Sequence, residues 1–332
     1  MTESKQPLIL IVKLSSLGDL FHALPAVRAL KAGLNAEIDW VTQPEYAELV
    51  RCFTDVSNVV VFPRRDLSKF PSFMNLLRRT RYDYAIDLQG LIKSAFITAT
   101  ARAAIKIGPS AAREGSRLFY HRKAGKKNKQ RHAADELMDV VKHLGLPVPA
   151  TIEFPVVFPK HSGPGRGLHI ALCPLSRAAG KNWPPERFVR LAEELRQDDT
   201  TFHLVGGAAD RAACAEIAAS IGSCAINHAG ETTLIELGSL LQEMNLLITV
   251  DSGPMHMAAA LGTPTLALFG PTSPLRTGPY GKKHCVIESP FQGSEKRISK
   301  KIRQCDLRYM EAIPVEPVAA AAREIIRQMR PR

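Results

Sequence analysis

Aromatic residues are scarce. Phe, Trp and Tyr together make up 6% of the 332 residues, too few for a row of exposed rings on which nucleic-acid bases could stack. The six cysteines (Cys52, Cys173, Cys214, Cys224, Cys285, Cys305) are scattered with no CxxC pair, so a disulfide scaffold is excluded and a cytosolic chain with reduced thiols is expected. No apolar run reaches the roughly 18 to 20 residues needed to span a bilayer. The polar stretch from Met1 to Pro7 predicts no secretory signal. There is no HExxH motif, no nucleophile elbow and no DxD triplet, so no metal is expected at the site. No strand is followed by GxGxxG or GxxxxGK[ST], which argues against a dehydrogenase and against a phosphate-loop NTPase.

What is present is a core and an uneven charge. Apolar residues are 45% and charged residues 23%, enough for packed cores and a charged surface, and the length suits two domains. Lys plus Arg number 44 against 32 Asp plus Glu, a formal +12. Residues 1–163 hold 24 basic and 15 acidic residues, and the stretch from Arg102 to Arg131 holds ten of those basic residues against one acid, Glu114. That stretch carries the whole excess of the first half and points to an anionic partner.

Short β-branched apolar runs alternate with helix-length segments. They lie at 8–12, 38–41, 59–62 and 84–88, and again at 168–172, 202–205, 246–250 and 265–269. Near-continuous apolar strands of this kind belong to parallel sheets covered on both faces, and two series predict two doubly wound α/β domains. Pro155, Pro159 and Ser162-Gly163-Pro164-Gly165-Arg166-Gly167 break the pattern, placing a linker at about 155–167 between a first domain at 1–160 and a second at 168–314. A last helix is predicted from Val315 to Met329, expected to pack back toward the first domain.

Ligands of open parallel sheets sit at the carboxyl ends of the strands, and three strand-end loops carry chemistry. In Lys13-Leu14-Ser15-Ser16-Leu17-Gly18-Asp19, Asp19 is either a general base for a hydroxyl or a helix-capping carboxylate. In Val250-Asp251-Ser252-Gly253-Pro254-Met255-His256, the Ser252-Gly253 step leaves N–H groups at a helix start, suited to a diphosphate. Phe269-Gly270-Pro271-Thr272 follows the next strand, and Ser252 and Thr272 could add hydroxyl donors. In Ser176-Arg177-Ala178-Ala179-Gly180-Lys181-Asn182-Trp183-Pro184, Lys181 is either a phosphate-binding cation or a surface lysine. Asp39, Asp83 and Asp87 read as strand-end or cap carboxylates without an assigned role.

The first of these loops, with His22 and Pro25, resembles the lipopolysaccharide heptosyltransferases (glycosyltransferase family 9). So do Asp87-Leu88-Gln89-Gly90-Leu91-Ile92-Lys93-Ser94, Gly180-Lys181-Asn182-Trp183-Pro184, Val250 to His256, Phe269 to Thr272 and Gly278-Pro279-Tyr280-Gly281. The resemblance spans residues 8–325 and is strongest to heptosyltransferase I, through Leu91 to Ser94 and Arg113 to Lys123. Ser176-Arg177, Thr232 and the tail around Gln304-Cys305-Asp306 depart from that type.

The resemblance implies two Rossmann-like domains facing across a cleft (the GT-B arrangement), the first binding the acceptor and the second the nucleotide sugar. It implies inverting transfer of heptose from ADP-L-glycero-β-D-manno-heptose to the first Kdo of Kdo2-lipid A, without a cofactor, with Asp19 as catalytic base. Ser176, Lys181, Asp210, Asp251, Ser252, Gly253 and His256 would bind the donor. Ser16, Arg64, Arg65, Lys93, Arg113, Arg117, Arg122 and Lys123 would meet the acceptor's phosphates and carboxylates and an anionic membrane surface, on the cytoplasmic face of the inner membrane. Heptosyltransferase II, or another transferase of the family, is the alternative within the fold. A nucleic-acid-binding protein is the distant alternative, and no nucleic-acid partner is expected.

Overall fold

The computed structural model describes residues 6–126, 128, 130–160, 165–291 and 306–329. The chain forms two compact units, residues 1–157 and 158–332. The first runs β1 (Leu8–Val12), α1 (Leu17–Leu34), β2 (Glu37–Thr42), α2 (Ala47–Arg51), β3 (Asn58–Val61), α3 (Phe70–Arg79), β4 (Tyr82–Asp87), α4 (Ile92–Thr100), β5 (Ala103–Pro109), β6 (Arg122–Ala124), α5 (Ala133–Leu137) and α6 (Asp139–His143). Its sheet has the order β3-β2-β1-β4-β5-β6 with every pair parallel.

The second unit runs β7 (Leu168–Cys173), α7 (Pro185–Leu195), β8 (Thr200–Leu204), α8 (Arg211–Ile221), β9 (Ala225–Asn227), α9 (Leu234–Gln242), β10 (Leu246–Val250), α10 (Gly253–Leu261), β11 (Thr265–Phe269), α11 (Pro274–Thr277), β12 (His284–Glu288), α12 (Arg308–Glu311) and α13 (Val315–Met329). Its order, β12-β11-β10-β7-β8-β9, is again all parallel and repeats the connectivity of the first sheet. The two-domain α/β fold expected from the strand pattern is therefore the fold observed.

Burial explains which strands were readable. Every residue of β7, β10 and β11 is buried, so both faces are covered and the runs are apolar apart from His169, Thr249 and Thr265. In each sheet the order reverses between the first and fourth strands, between β1 and β4 and between β7 and β10. The loops leaving those strands diverge there, opening the crevice where such sheets bind ligands.

The junction lies at the front of the expected linker. Val157 N–H donates to Cys52 O at 3.0 Å and Val156 bridges Phe53, holding the chain to the first unit. Phe158 then lies against Gly238 of α9, where a Cβ would fall 2.5 Å from its ring. The last helix takes the predicted span, and its apolar side packs within the second unit. Val315, Val318, Ala319, Ala322 and Ile326 join the core of the second unit, where α13 packs on α7. Its apolar stripe is consumed there, sealed by Trp183, whose indole N–H donates to Ile313 O at 2.9 Å.

One polar feature crosses the second sheet. His169 Nδ1 lies 3.2 Å from His203 Nε2, and His203 Nδ1 lies 3.0 Å from His228 Nε2. Burial, with the two flanking imidazoles, pushes His203 down to about 4.

Candidate active site

Each reversal point is closed by hydrogen bonds between its two loops. In the first unit, Lys13 follows β1 and turns inward: its side chain is buried and Nζ donates to Leu88 O at 2.9 Å. Its carbonyl accepts the Trp40 indole N–H at 2.9 Å. From the β4 side, the Gln89 Oε1 accepts the backbone N–H groups of Leu14 and Ser15 at 3.2 and 3.3 Å. The loop that delivers the start of α1 is thus fixed to both neighbouring strands.

Asp19 occupies the third position of α1, half-buried. Its Oδ2 accepts the Ser16 N–H at 3.0 Å and the Ser16 hydroxyl at 2.7 Å. The two readings of this carboxylate are therefore compatible: it caps the helix start, and the cap fixes its orientation at the carboxyl end of β1. Ser16, expected on the acceptor side, is exposed beside it and orients the carboxylate.

Asp87, left without a role by the sequence, is the buried anchor of the neighbouring loop. One oxygen accepts Gln89 N–H at 2.7 Å and Gly90 N–H at 2.9 Å, and the other accepts the Tyr120 hydroxyl at 2.7 Å. Loss of hydration in full burial raises its pKa, opposed by these hydrogen bonds. Gly90 has φ +72, and a Cβ there would meet Pro109 at 2.7 Å, so the turn requires glycine.

The basic segment is ordered by this anchor. Arg113 N–H donates to Gly90 O at 3.0 Å, and Glu114, its one acid, accepts the Ile92 N–H at 3.1 Å at the start of α4. Arg113 and Arg117 are exposed on either side of the buried Ser116.

Other residues of the expected acceptor surface disperse. Arg122 and Lys123 are successive residues of β6, so they project to opposite faces of the sheet and cannot clasp one anion together. Arg131 is engaged bidentately by Asp139 at 2.9 and 3.0 Å. Arg64 lies 3.2 Å from Gln43 Oε1 and 3.7 Å from Glu45, Arg65 is exposed beside it, and Lys93 Nζ sits 5.9 Å from the Phe62 ring centre. Lys127 and Lys129 lie outside the described residues, as does Cys305.

In the second unit a single carboxylate joins three loops. Asp251, at the end of β10, accepts Lys181 Nζ from the loop after β7 and the Thr272 hydroxyl from the loop after β11, both at 2.7 Å on Oδ2. Lys181 is thus an oriented, partly buried ammonium, and it spends one of three donors on Asp251. Its loop is shaped by Asn182, whose Oδ1 accepts Ser176 N–H at 2.8 Å and the Ser176 hydroxyl at 3.1 Å.

The hydroxyls expected as outward donors are turned inward instead. Ser252 Oγ lies 3.1 Å from Thr249 Oγ1 and 3.4 Å from Cys173 Sγ, and Thr272 serves Asp251. What Ser252 and Gly253 offer is backbone: Ser252 directly precedes α10 without a side-chain cap bond, Gly253 is its first residue, and Pro254 supplies no N–H. His256 is buried one turn in. Asp210 lies in the short turn Ala208–Asp210 directly before α8, where its Oδ2 accepts Gly207 N–H at 2.8 Å. Among the described residues no cluster of three or more His, Cys, Asp or Glu could hold a metal ion.

Gln89, Asn182, Asp87 and Tyr120 were given no role from sequence. All four lie inside stretches that were singled out, so their position was visible and their bonding was not.

Comparison with known proteins agrees with this architecture. The chain is 29% identical over 300 residues to lipopolysaccharide heptosyltransferase 1 of Pseudomonas aeruginosa, covering 85% of this chain and 84% of that protein. It is equally identical over 300 residues to the Escherichia coli K12 protein of the same name, covering 85% and 93%. The structure of E. coli heptosyltransferase WaaC with ADP superposes with a TM-score of 0.81 at 25% identity, covering 96% of this chain and 99% of that one. The model of glycosyltransferase family 9 (heptosyltransferase) matches residues 71–305, taking in the Gln89 loop, the Lys181–Asp251–Thr272 clasp and the start of α10. The chain belongs to glycosyltransferase family 9, the heptosyltransferases, and is a glycosyltransferase.

Proposed function

We propose that this enzyme transfers L-glycero-D-manno-heptose from ADP-heptose to a Kdo residue of Kdo2-lipid A, with inversion, in building the lipopolysaccharide inner core. The relatives named lipopolysaccharide heptosyltransferase 1 support the reaction class. The observation that carries the assignment of roles is that each sheet's reversal point holds one kind of chemistry: a fixed carboxylate in the first, an oriented ammonium and a helix start in the second.

In this reading the Kdo hydroxyl oxygen attacks the anomeric carbon as the bond to the β-phosphate oxygen breaks. Asp19 takes the hydroxyl proton, and ADP leaves with the bonding pair. Lys181 and the Gly253 N–H meet the negative charge that grows on the diphosphate, each such preorganised donor being worth on the order of 3 kcal/mol. Ser176, Asp210, Ser252 and His256 line the donor side. Arg64, Arg65, Lys93, Arg113, Arg117, Arg122 and Lys123 supply positive potential for the acceptor and an anionic membrane surface, the enzyme working peripherally on the cytoplasmic face without a metal.

The test is turnover of Asp19→Asn on ADP-heptose and Kdo2-lipid A, with ADP-heptose binding followed by calorimetry. Turnover falls about 10²–10⁴-fold, the span of general-base effects, while binding changes less than about threefold. Equal loss of donor affinity would remove Asp19 from the base role. Donor binding by the wild-type enzyme without turnover on Kdo2-lipid A would move the acceptor to a longer core, as for a heptosyltransferase II.

A further inference from the structure

The outer side of α4 is apolar where a surface helix is ordinarily polar. Its inward side, Ser94, Ala95, Ile97 and Thr98, is buried. Its outward side carries Ile92 and Phe96, one turn apart and 42% and 44% exposed. Against α4 packs the short turn Ser116–Phe119, where Leu118 is 87% exposed, the most exposed large apolar side chain among the described residues.

This turn is held rather than loose. The buried Ser116 hydroxyl donates to Arg113 O, and Tyr120 is pinned to Asp87 at 2.7 Å. Lys93 follows Ile92 on α4, Arg117 precedes Leu118 in the turn and Arg113 leads into it, and all three are exposed. Single exposed leucines need no explanation; three exposed apolar side chains on two packed elements, with exposed cations beside them in sequence, do.

We propose that Ile92, Phe96 and Leu118 form an insertion tip that enters the acyl boundary of an anionic phospholipid surface while Lys93, Arg113 and Arg117 hold its headgroups. Charge complementarity selects the lipid: the exposed side chains next to the apolar ones in sequence are cationic, and a protruding apolar tip suits a deformable surface rather than a preformed pocket. The inference rests on the proposed function for its setting, since that acceptor is itself a lipid, but its test needs no substrate.

Sedimentation with vesicles of phosphatidylglycerol and phosphatidylcholine, against phosphatidylcholine alone, reads the partition of the wild-type chain and of a Phe96→Ser/Leu118→Ser variant. The wild type prefers the anionic vesicles, and the variant's partition onto them falls about tenfold. A second variant, Leu118→Trp, shows blue-shifted emission on vesicle binding and quenching by brominated acyl chains. Equal partition of wild type and double variant, or no emission shift in Leu118→Trp, would overturn the insertion tip and leave the patch to a protein partner. Turnover on detergent-dispersed Kdo2-lipid A, measured beside it, tests the transferase reading alone: there kcat of the double variant stays at the wild-type value, and its loss in the wild type would leave the membrane result standing.

Discussion

At the residue scale, much of the candidate site depends on carboxylates that hold loops. Asp251 binds Lys181 and Thr272 through the same oxygen, so the two contacts are coupled. Lys181→Ala is expected to lower kcat about 10²–10³-fold, and Thr272→Val less, because it removes an orienting bond and leaves the ammonium. The double variant should lose less than the product of the singles, with a coupling of about 0.5–3 kcal/mol in a double-mutant cycle. Strict additivity in steady-state kinetics would show that Thr272 does not act through Asp251. Lys181 and Asp251 were both legible as strand-end candidates in sequence. Their ion pair was not, because it joins residues 70 positions apart and no local pattern encodes it.

At the element scale, legibility followed burial. β10 and β11 were readable to the residue because both faces are covered and every position but the threonines Thr249 and Thr265 is apolar. β5, β6, β9 and β12 escaped notice. β6 and β9 have three residues each and, like β12, lie at a sheet edge, and β5 interrupts its apolar run with Lys106 and Gly108. Missing β6 had a cost for function, since a basic run read as one patch is divided by a strand that sends Arg122 and Lys123 to opposite faces. The contact that orders this region is equally nonlocal. Tyr120→Phe leaves the buried Asp87 short of one donor, an expected loss of about 1–3 kcal/mol. Thermal unfolding of the first unit should then fall by about 2–4 °C for each kcal/mol, with turnover reduced through the Gln89 loop. An unchanged melting temperature would mean that Tyr120 packs without supporting the carboxylate.

At the scale of the whole molecule, the two units repeat one connectivity, but their most buried shifted groups respond to acid with opposite signs. His203 and His284 are each pushed down to about 4, chiefly by burial. Their unfolded imidazoles take protons near 6.5 while the folded ones do not, so the second unit loses stability as pH falls from about 6.5 toward 4. Asp87 is shifted the other way, its pKa raised by burial. Its folded form holds a proton at pH values where the unfolded carboxyl has lost it, so its contribution to the first unit improves as pH falls. Calorimetry between pH 7 and pH 5 should show the second unit's transition moving down further than the first's. His203→Gln should narrow the gap; a gap that is the same in wild type and variant would assign the acid response to other groups.

The Gln89 amide oxygen receives two backbone N–H groups from residues 74 and 75 positions earlier in the chain. The loop that orients Asp19 therefore cannot take its shape when β1 and α1 form; it must wait until β4 has docked beside β1 across the whole β2–β3 excursion. Contacts that close so long a segment form late, because the entropy of closure is lost before the bonds return it. During synthesis or refolding, the helix bearing Asp19 is thus present well before the loop that orients this carboxylate has its final shape. Acceptor-side competence should appear on refolding after the recovery of helical signal, and a Gln89→Ala chain should regain its helices while its turnover lags.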